Sequence, residues 1–179
     1  MVLKILITYI IFFNFSYLYA NNIGSDTGYK LPRYVSLKSN EVNLRIGPST
    51  NFPIKLKYIM KNFPVEIIDE YKQWRQVNDF EGNSGWIHKS LLKGDRYAVI
   101  YDERKILSVY NKPYGKLLGK IENYNIIKLK TCLNNWCLIN AESSNGWVLK
   151  ESLWGVYEKE RFNVPFYQPV INQFWKLDF

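Results

Sequence analysis

Two cysteines, separated by four residues, are the side chains in this sequence whose type and spacing most directly suggest a covalent bond. Cys132 and Cys137 flank Leu133-Asn134-Asn135-Trp136. If Asn134 and Asn135 form a two-residue hairpin turn, both need positive φ, which asparagine tolerates better than most residues. The cysteines then oppose each other as a non-hydrogen-bonded pair, whose backbones lie close enough for a disulfide. The spacing therefore predicts a disulfide between Cys132 and Cys137.

Other reactive side chains are few. His88 is the only histidine, and it makes too small a ligand set with the two cysteines for a closed zinc site. It follows Trp86-Ile87 at a position typical of packing. The carboxylates of residues 69–81 fall on a hairpin and a loop, and we interpret them as solvated charge. We therefore expect no catalytic residue, no cofactor and no metal, and we expect that the protein is not an enzyme.

The N-terminus has the pattern of a secretory signal peptide. Lys4 precedes an apolar run over residues 5–15, and Ala20 suits signal peptidase cleavage. Cleavage would leave a periplasmic or secreted protein that is not transmembrane, in a compartment where disulfides persist. The alternative is an uncleaved membrane anchor, but the run is shorter than the roughly 20 residues of a spanning helix.

The charge of the chain is basic, with 24 lysines and arginines against 16 acidic residues and a formal net charge of +8. This balance favours acidic partners such as anionic cell-wall polymers or lipid head groups. Export argues against nucleic acid. The alternative is that the charge only keeps the protein soluble.

An internal repeat organises the chain. Residues 64–92 correspond to residues 126–153 when the first segment is shifted by 62 positions. The matched residues are Val65 and Ile127, Ile67 and Leu129, Trp74 and Trp136, Val77 and Ile139, and, after a one-residue gap, Gly85-Trp86-Ile87 and Gly146-Trp147-Val148. Glu70 and Arg75 stand where the two cysteines stand, and they predict a cross-strand ion pair in the equivalent slot.

Each repeat shows short alternating segments separated by turn residues, which predict strands. The predicted strands are 34–38, 42–46, 55–60, 64–70, 73–78 and 85–88, then 97–101, 106–110, 116–121, 125–132, 136–140 and 146–149. So many short strands in a small unit predict an all-β fold in which each repeat curls into a small barrel. The resulting division is signal peptide 1–20, N-terminal linker 21–32, first domain 33–93, second domain 96–157 and aromatic tail 158–179.

The motif residues resemble the bacterial SH3 pattern of strand, glycine-proline turn, distal hairpin and terminal Gly-Trp. They are Asn43-Leu44-Arg45-Ile46-Gly47-Pro48, Trp74 and Gly85-Trp86-Ile87. Leu31–Leu37, Cys132 to Cys137 and Leu153–Tyr157 extend the resemblance over residues 31–157, to exported proteobacterial proteins with two SH3-like repeats. The resemblance implies two tandem SH3-like β-barrels. It also implies a targeting module, because related domains bind peptidoglycan.

Aromatic and basic residues at the distal hairpins are the candidate ligand contacts. Trp74, with Lys72 and Arg75 beside it, and Trp136 need not face inward if Val77 and Ile139 do. A tryptophan there suits stacking on a sugar or a peptide. The alternative is that Trp74 and Trp136 pack between the two barrels. By contrast, Trp86 and Trp147 follow glycine and are predicted to fill the barrels.

The sequence thus predicts a non-enzymatic binding module of the cell envelope, whose partner is peptidoglycan or another envelope component. A periplasmic scaffold that takes a protein or peptide between its barrels is the alternative, and a wall-active enzyme is a third reading. The tail over residues 158–179 is either wrapped on a barrel or available to a partner.

Overall fold

The computed structural model describes residues 23–141, 144–168 and 171 of the chain. Within these ranges the protein is all-β and forms two antiparallel seven-stranded sheets, one for each repeat. This confirms the predicted fold class and the tandem arrangement. The predicted signal peptide over residues 1–20 lies outside the described residues.

The first sheet has the strand order β3-β2-β6-β5-β4-β1-β7. Its strands are β1 (Arg33–Leu37), β2 (Val42–Arg45), β3 (Ile54–Tyr58), β4 (Pro64–Tyr71), β5 (Trp74–Asn78), β6 (Ser84–His88) and β7 (Leu92–Lys93).

The second sheet repeats that order as β10-β9-β13-β12-β11-β8-β14. Its strands are β8 (Tyr97–Ile100), β9 (Ile106–Tyr110), β10 (Leu117–Glu122), β11 (Ile126–Cys132), β12 (Trp136–Ala141), β13 (Ser144–Leu149) and β14 (Leu153–Trp154). Every predicted strand is present, with ends that differ by one or two residues. The two-residue strands β7 and β14 were not predicted, because each follows a short 3-10 turn and is too short to show alternation.

In the described residues, hydrogen bonds do not close either sheet into the predicted barrel. In the described part of the first repeat, the edge strands β3 and β7 do not pair with each other, and the same holds for β10 and β14. Each sheet instead curls so that the inward residues of its strands share one core. Leu37, Val42, Val65, Val77 and Ile87 meet in the first core.

Glycine lets β6 approach β2 within this curled sheet. A Cβ atom on Gly85 would lie 2.6 Å from the carbonyl oxygen of Arg45 and 2.7 Å from Cγ of Leu44. Gly146 stands in the same place in the second repeat, where a Cβ atom would lie 2.2 Å from Cγ1 of Val109. The repeated Gly-Trp motif therefore has a packing cause, because no larger residue fits at the glycine.

The two repeats meet through aromatic rings. Tyr34 of β1 contacts Trp154 and Tyr157, with ring centroids 5.1 and 4.6 Å apart. The hydroxyl of Tyr157 donates to Oε1 of Glu66 at 2.8 Å across the interface. Burial, together with this hydrogen bond, raises the pKa of Tyr157. Neither Trp74 nor Trp136 makes any of these contacts, so the interface does not use the two hairpin tryptophans.

Candidate functional site

The outer surface of β2, β6 and β5 carries the candidate site of the first repeat, which we call the Trp74 face. It consists of Arg45, Trp74, Gln76, Trp86 and His88. Buried and half-buried residues alternate along β5 and β6, so these side chains lie opposite the core residues of the same strands. Cross-strand register places Trp74 beside His88, and Trp86 beside both Gln76 and Arg45.

Two side chains of this face are held by local contacts. The ring of His88 meets the ring of Trp74 edge-on, with centroids 5.4 Å apart. Nδ1 of His88 lies 2.8 Å from Oγ of Ser90 and caps the 3-10 turn that follows β6. His88 is therefore both a cap and a wall of the face, which agrees with the packing position predicted for it.

Lys72 lies at the tip of the same hairpin. Its φ is 51°, in the left-handed region, so it supplies the turn conformation between β4 and β5. The lysine is exposed, and its Nζ lies 5.3 Å from the ring centroid of Tyr71. The structure thus brings Lys72 and Trp74 to one end of the first repeat.

The predicted position of Trp86 inside the barrel is wrong. Trp86 does not fill the barrel, because Gly85 and Ile87 on either side of it face the core. The alternation of β6 contains this information: once Ile87 is taken as inward, Trp86 must point outward. The same reasoning identifies Gln76 and His88, which the sequence analysis did not assign to a ligand.

The equivalent face of the second repeat is apolar and closed. The three polar positions of the Trp74 face are occupied there by one aromatic and two aliphatic residues: Arg45 corresponds to Tyr110, Gln76 to Leu138 and His88 to Leu149. Trp136 is 7% exposed and Trp147 is 8% exposed, and they form a cluster with Leu133 that is separate from the main core. Trp147 thus also lies outside the barrel it was predicted to fill.

The described part of the tail covers this second face. Phe162 pairs with Cys132 as an antiparallel bridge, and Val164 packs against the cluster of Trp136 and Trp147. The buried ammonium of Lys150 holds the segment by donating to the carbonyl of Glu160 at 2.7 Å. Over residues 158–164 the tail packs on its own repeat, which is one of the two alternatives considered for it, whereas Phe166 is exposed.

Arg75 is placed in the interior rather than at a ligand surface. It is 3% exposed, and its NH1 donates to the carbonyls of Lys72 and Trp74 at 2.9 and 2.8 Å. Its Nε lies 3.4 Å from Oε1 of Glu70, and the two residues are directly opposed in β4 and β5. The predicted cross-strand pair of Glu70 and Arg75 is therefore present. Because the guanidinium of Arg75 is buried in this pair, it is not available as the ligand contact that the sequence suggested.

Glu70 and Asp79 are buried, so the interpretation of these two carboxylates as solvated charge is wrong. Glu70 is the anchor of the N-terminal segment. Its carboxylate accepts hydrogen bonds from the backbone N–H groups of Asp26 and Thr27 at 3.1 and 2.9 Å, and from NH2 of Arg33 at 2.6 Å. Burial by itself raises the pKa of Glu70, but the hydrogen bonds from Arg33 and Thr27 outweigh it and lower the pKa to about 2. Residues 23–30 thus cover the slot that Phe162 covers in the second repeat.

The disulfide occupies the equivalent slot in the second repeat. Cys132 and Cys137 are directly opposed and bonded, with their Cα atoms 4.1 Å apart. The backbone N–H and C=O of Cys132 form hydrogen bonds with Phe162, on the side away from Cys137. The two cysteines are therefore a non-hydrogen-bonded pair, as the register predicts. The predicted turn conformation is wrong, because neither Asn134 nor Asn135 has positive φ.

A second concave site lies between the repeats. Phe80 of the first repeat and Tyr101, Tyr124 and Trp154 of the second line a cleft of about 410 Å³, with Glu81 at its edge. Phe80 is central, because its ring lies 6.0 Å from that of Tyr124 and 6.3 Å from that of Trp154. These residues come from three separate loops and from β14, so no spacing in the sequence indicates them.

The described residues contain neither a cluster of metal-ligating side chains nor a membrane-spanning helix. Nowhere in that part of the chain do three or more histidine, cysteine, aspartate or glutamate side chains gather as a metal ion would need. The same residues include no helix with the length and apolar character needed to cross a membrane.

Solved structures and one family of domains are similar to this chain. Three solved structures are similar to parts of it. NlpC2 and NlpC1 from Trichomonas vaginalis are both 14% identical, with TM-scores of 0.33 and 0.32. The matches cover 74% and 73% of this chain but 51% and 48% of those chains. An NlpC/P60 family protein from Bacillus cereus is 13% identical with a TM-score of 0.31, over 78% of this chain and 61% of that one.

The chain therefore spans about half to three fifths of the length of these structures. No curated protein matches the sequence significantly. The bacterial SH3 domain family matches residues 38–94 and 116–155, which are more than half of the chain and fall in the two repeats. This protein therefore belongs to the bacterial SH3 domain family.

Proposed function

We propose that the protein is a non-catalytic binding module of the cell envelope, and that its Trp74 face binds the glycan strands of peptidoglycan. The proposal places the mature protein in the periplasm or outside the cell, as the N-terminal sequence pattern indicates. The observation that carries it is the contrast between the outer faces of the two repeats.

Both faces keep two tryptophans, but only the first is open and polar. In the second repeat the tail, one aromatic and two aliphatic side chains bury Trp136 and Trp147. In the first repeat Trp74 and Trp86 remain half-exposed. If the tryptophans only stabilised the fold, we would expect apolar neighbours in both repeats. The polar neighbours in the first repeat indicate a ligand that combines apolar and hydrogen-bonding surface.

A sugar ring has that combination. Its C–H face stacks on an indole ring, while its hydroxyl and acetamido groups exchange hydrogen bonds with side chains at the rim. Gln76 offers an amide, and Arg45 and Lys72 offer positive charge. The net charge of +8 also favours approach to an anionic wall polymer, although this attraction is screened by salt.

The non-catalytic part of the proposal rests on how the reactive groups are used. Cys132 and Cys137 are joined as a disulfide, so neither is a thiolate nucleophile. The buried carboxylate of Asp79 accepts a hydrogen bond from the hydroxyl of Tyr58 at 3.0 Å and closes its own loop. The buried carboxylate of Asp102 is paired with Arg104, which lowers its pKa.

Sedimentation with purified sacculi tests the proposal. The exported protein should pellet with sacculi, and Trp74→Ala should weaken binding by about 5-fold to 100-fold, since loss of one stacked aromatic is worth about 1–3 kcal/mol. Phe166→Ala is the matched control, because Phe166 is an exposed aromatic residue of the tail outside the face. Equal binding by both variants would refute the assignment of the face. Release of labelled fragments from sacculi by the pure protein would refute the non-catalytic proposal.

A further inference from the structure

The aromatic cleft between the repeats has features that the glycan proposal does not use. We propose that this cleft binds a quaternary ammonium group, as a site separate from the Trp74 face. The inference rests on four rings, one carboxylate and the way in which both repeats hold them.

The walls of the cleft are aromatic and accessible. Tyr101 is 58% exposed and Tyr124 is 62% exposed, and their ring centroids are 6.3 Å apart. Phe80 and Trp154 form the half-buried floor. A cation is attracted to the faces of such rings within about 6 Å of their centroids. The cleft volume of about 410 Å³ is within the range of small-molecule sites.

The charge at the edge of the cleft has the sign that such a ligand needs. Glu81 is exposed and forms no salt bridge within the described part of the chain. Its backbone N–H donates to Oδ1 of Asp79 at 3.0 Å, and its carboxylate accepts only a long hydrogen bond from Nδ2 of Asn83 at 3.5 Å among the described residues. Nor does any lysine or arginine of that part stack on the four rings, although Tyr29, Tyr34, Tyr71, Tyr97 and Phe162 each have such a cation. Among the described residues of this basic protein, the cleft is thus an acidic aromatic site on whose rings no lysine or arginine stacks.

Contacts within the protein position the two floor rings of the cleft and the backbone of Tyr124. Trp154 is held edge-on by Tyr34 at 5.1 Å, and Phe80 contacts Phe63 at 5.8 Å. Tyr124 has φ of 65°, in the left-handed region where glycine or asparagine is the common choice. An aromatic residue held in that conformation costs free energy, so its placement over the cleft indicates a role that a turn residue would not fulfil.

The ligand is a quaternary rather than a primary ammonium because of the hydrogen bonds available. A primary ammonium has three N–H donors, and each of them needs an acceptor when it leaves water. Beyond the carboxylate of Glu81, the side chains that line the cleft offer as acceptors only the neutral hydroxyls of Tyr101 and Tyr124, and the rest of their surface is mostly aromatic carbon. A quaternary ammonium has no donor, and its diffuse charge suits the ring faces together with Glu81.

Titration of the full exported protein with choline tests this inference, with the neutral isostere 3,3-dimethyl-1-butanol as the probe control. Calorimetry should show choline binding and about 2-fold to 30-fold weaker binding of the isostere, since the cation–π attraction is worth about 0.5 kcal/mol at an exposed site and about 2 kcal/mol at a desolvated one. N-acetyl-lysine amide should also bind more weakly than choline. Equal affinity for choline and its isostere would overturn the proposal, because the cleft would then be only an apolar surface.

Two variants locate the binding. Glu81→Gln and Tyr124→Leu should each weaken choline binding by about 2-fold to 30-fold, whereas Glu41→Gln, which removes an exposed carboxylate far along the chain, should leave it unchanged. Binding that survives both cleft variants would overturn the site. Phosphatidylcholine vesicles distinguish a lipid head group from a free ligand as the source. Because sacculus binding is assigned to the Trp74 face, failure here leaves that proposal unaffected and the converse also holds.

Discussion

Replacement of the buried carboxylate of Glu70 by an amide is the sharpest test of how the first repeat is held together. Glu70→Gln preserves the shape of the side chain but removes the charge that faces Arg33 and Arg75. It also turns one acceptor oxygen into a donor that opposes the backbone N–H groups of Asp26 and Thr27. We therefore expect both a loss of stability and a looser N-terminal segment.

The magnitude follows from the pKa of Glu70. Its ordinary value is 4.5, and the folded protein lowers it to about 2. A depressed carboxyl pKa contributes stability above the unfolded-state value and loses it as the pH falls through the folded-state value. The full contribution is about 3 kcal/mol near neutral pH, and about 2 kcal/mol of it is lost by about pH 3.

The assay is urea unfolding of wild type and variant between about pH 7 and pH 3. We expect Glu70→Gln to lower the free energy of unfolding by about 3 kcal/mol at neutral pH, with the difference shrinking as the pH falls. Glu103→Gln, at an exposed carboxylate, is the control and should follow wild type. A difference that stays constant across this pH range would refute the assigned cause, and one below about 0.5 kcal/mol would refute the role of the carboxylate.

Three further predictions concern stability and are measured by the same urea unfolding. Joint replacement of Cys132 and Cys137 by serine should cost about 2 kcal/mol, because the closed loop is short, and the variant should no longer respond to reductant. Tyr157→Phe should cost about 1 kcal/mol by removing the hydrogen bond to Glu66 between the repeats; no change would mean that this contact does not stabilise the interface. Gly85→Ala should lower the free energy of unfolding by about 1–3 kcal/mol, because β2 must move to accommodate the added carbon. A variant as stable as wild type would show that the close contact is absent.

The strands and their register were predictable because they depend on neighbours along the chain. The alternation of apolar residues predicts that Val77 and Ile139 lie in the two cores, and the hairpin spacing predicts that Cys132 and Cys137 lie opposite each other; the structure confirms both. The repeat then transferred that register to Glu70 and its partner in the first copy. These relations need only the two-residue period of a strand.

The outward position of Trp86 was missed for a physical reason. The position of Trp86 directly after a glycine predicts that it fills the barrel, whereas Gly85 makes room for the backbone of β2. Likewise, the preference of asparagine for positive φ does not decide the conformation of Asn134-Asn135, where the following backbone is held by other contacts. The N–H of Lys150, for example, donates to the carbonyl of Asn135 at 2.9 Å.

Contacts between distant segments could not be predicted from local patterns. The N-terminal segment reaches Glu70 across more than forty residues, and the tail reaches Cys132 across thirty. The aromatic cleft brings Phe80 and Trp154 together from different repeats. Such contacts depend on how the two sheets curl and dock, which residue spacing within one strand does not report.

The most direct test of the Trp74 face compares the tryptophans of the two repeats in one protein. Indole N–H resonances are followed by NMR during titration with a soluble glycan fragment of peptidoglycan. We predict that the resonances of Trp74 and Trp86 shift, while those of Trp136 and Trp147 remain unchanged under the tail. Shifts confined to Trp136 and Trp147, or no shift at fragment concentrations that saturate binding to the protein, would contradict the assignment of the glycan site.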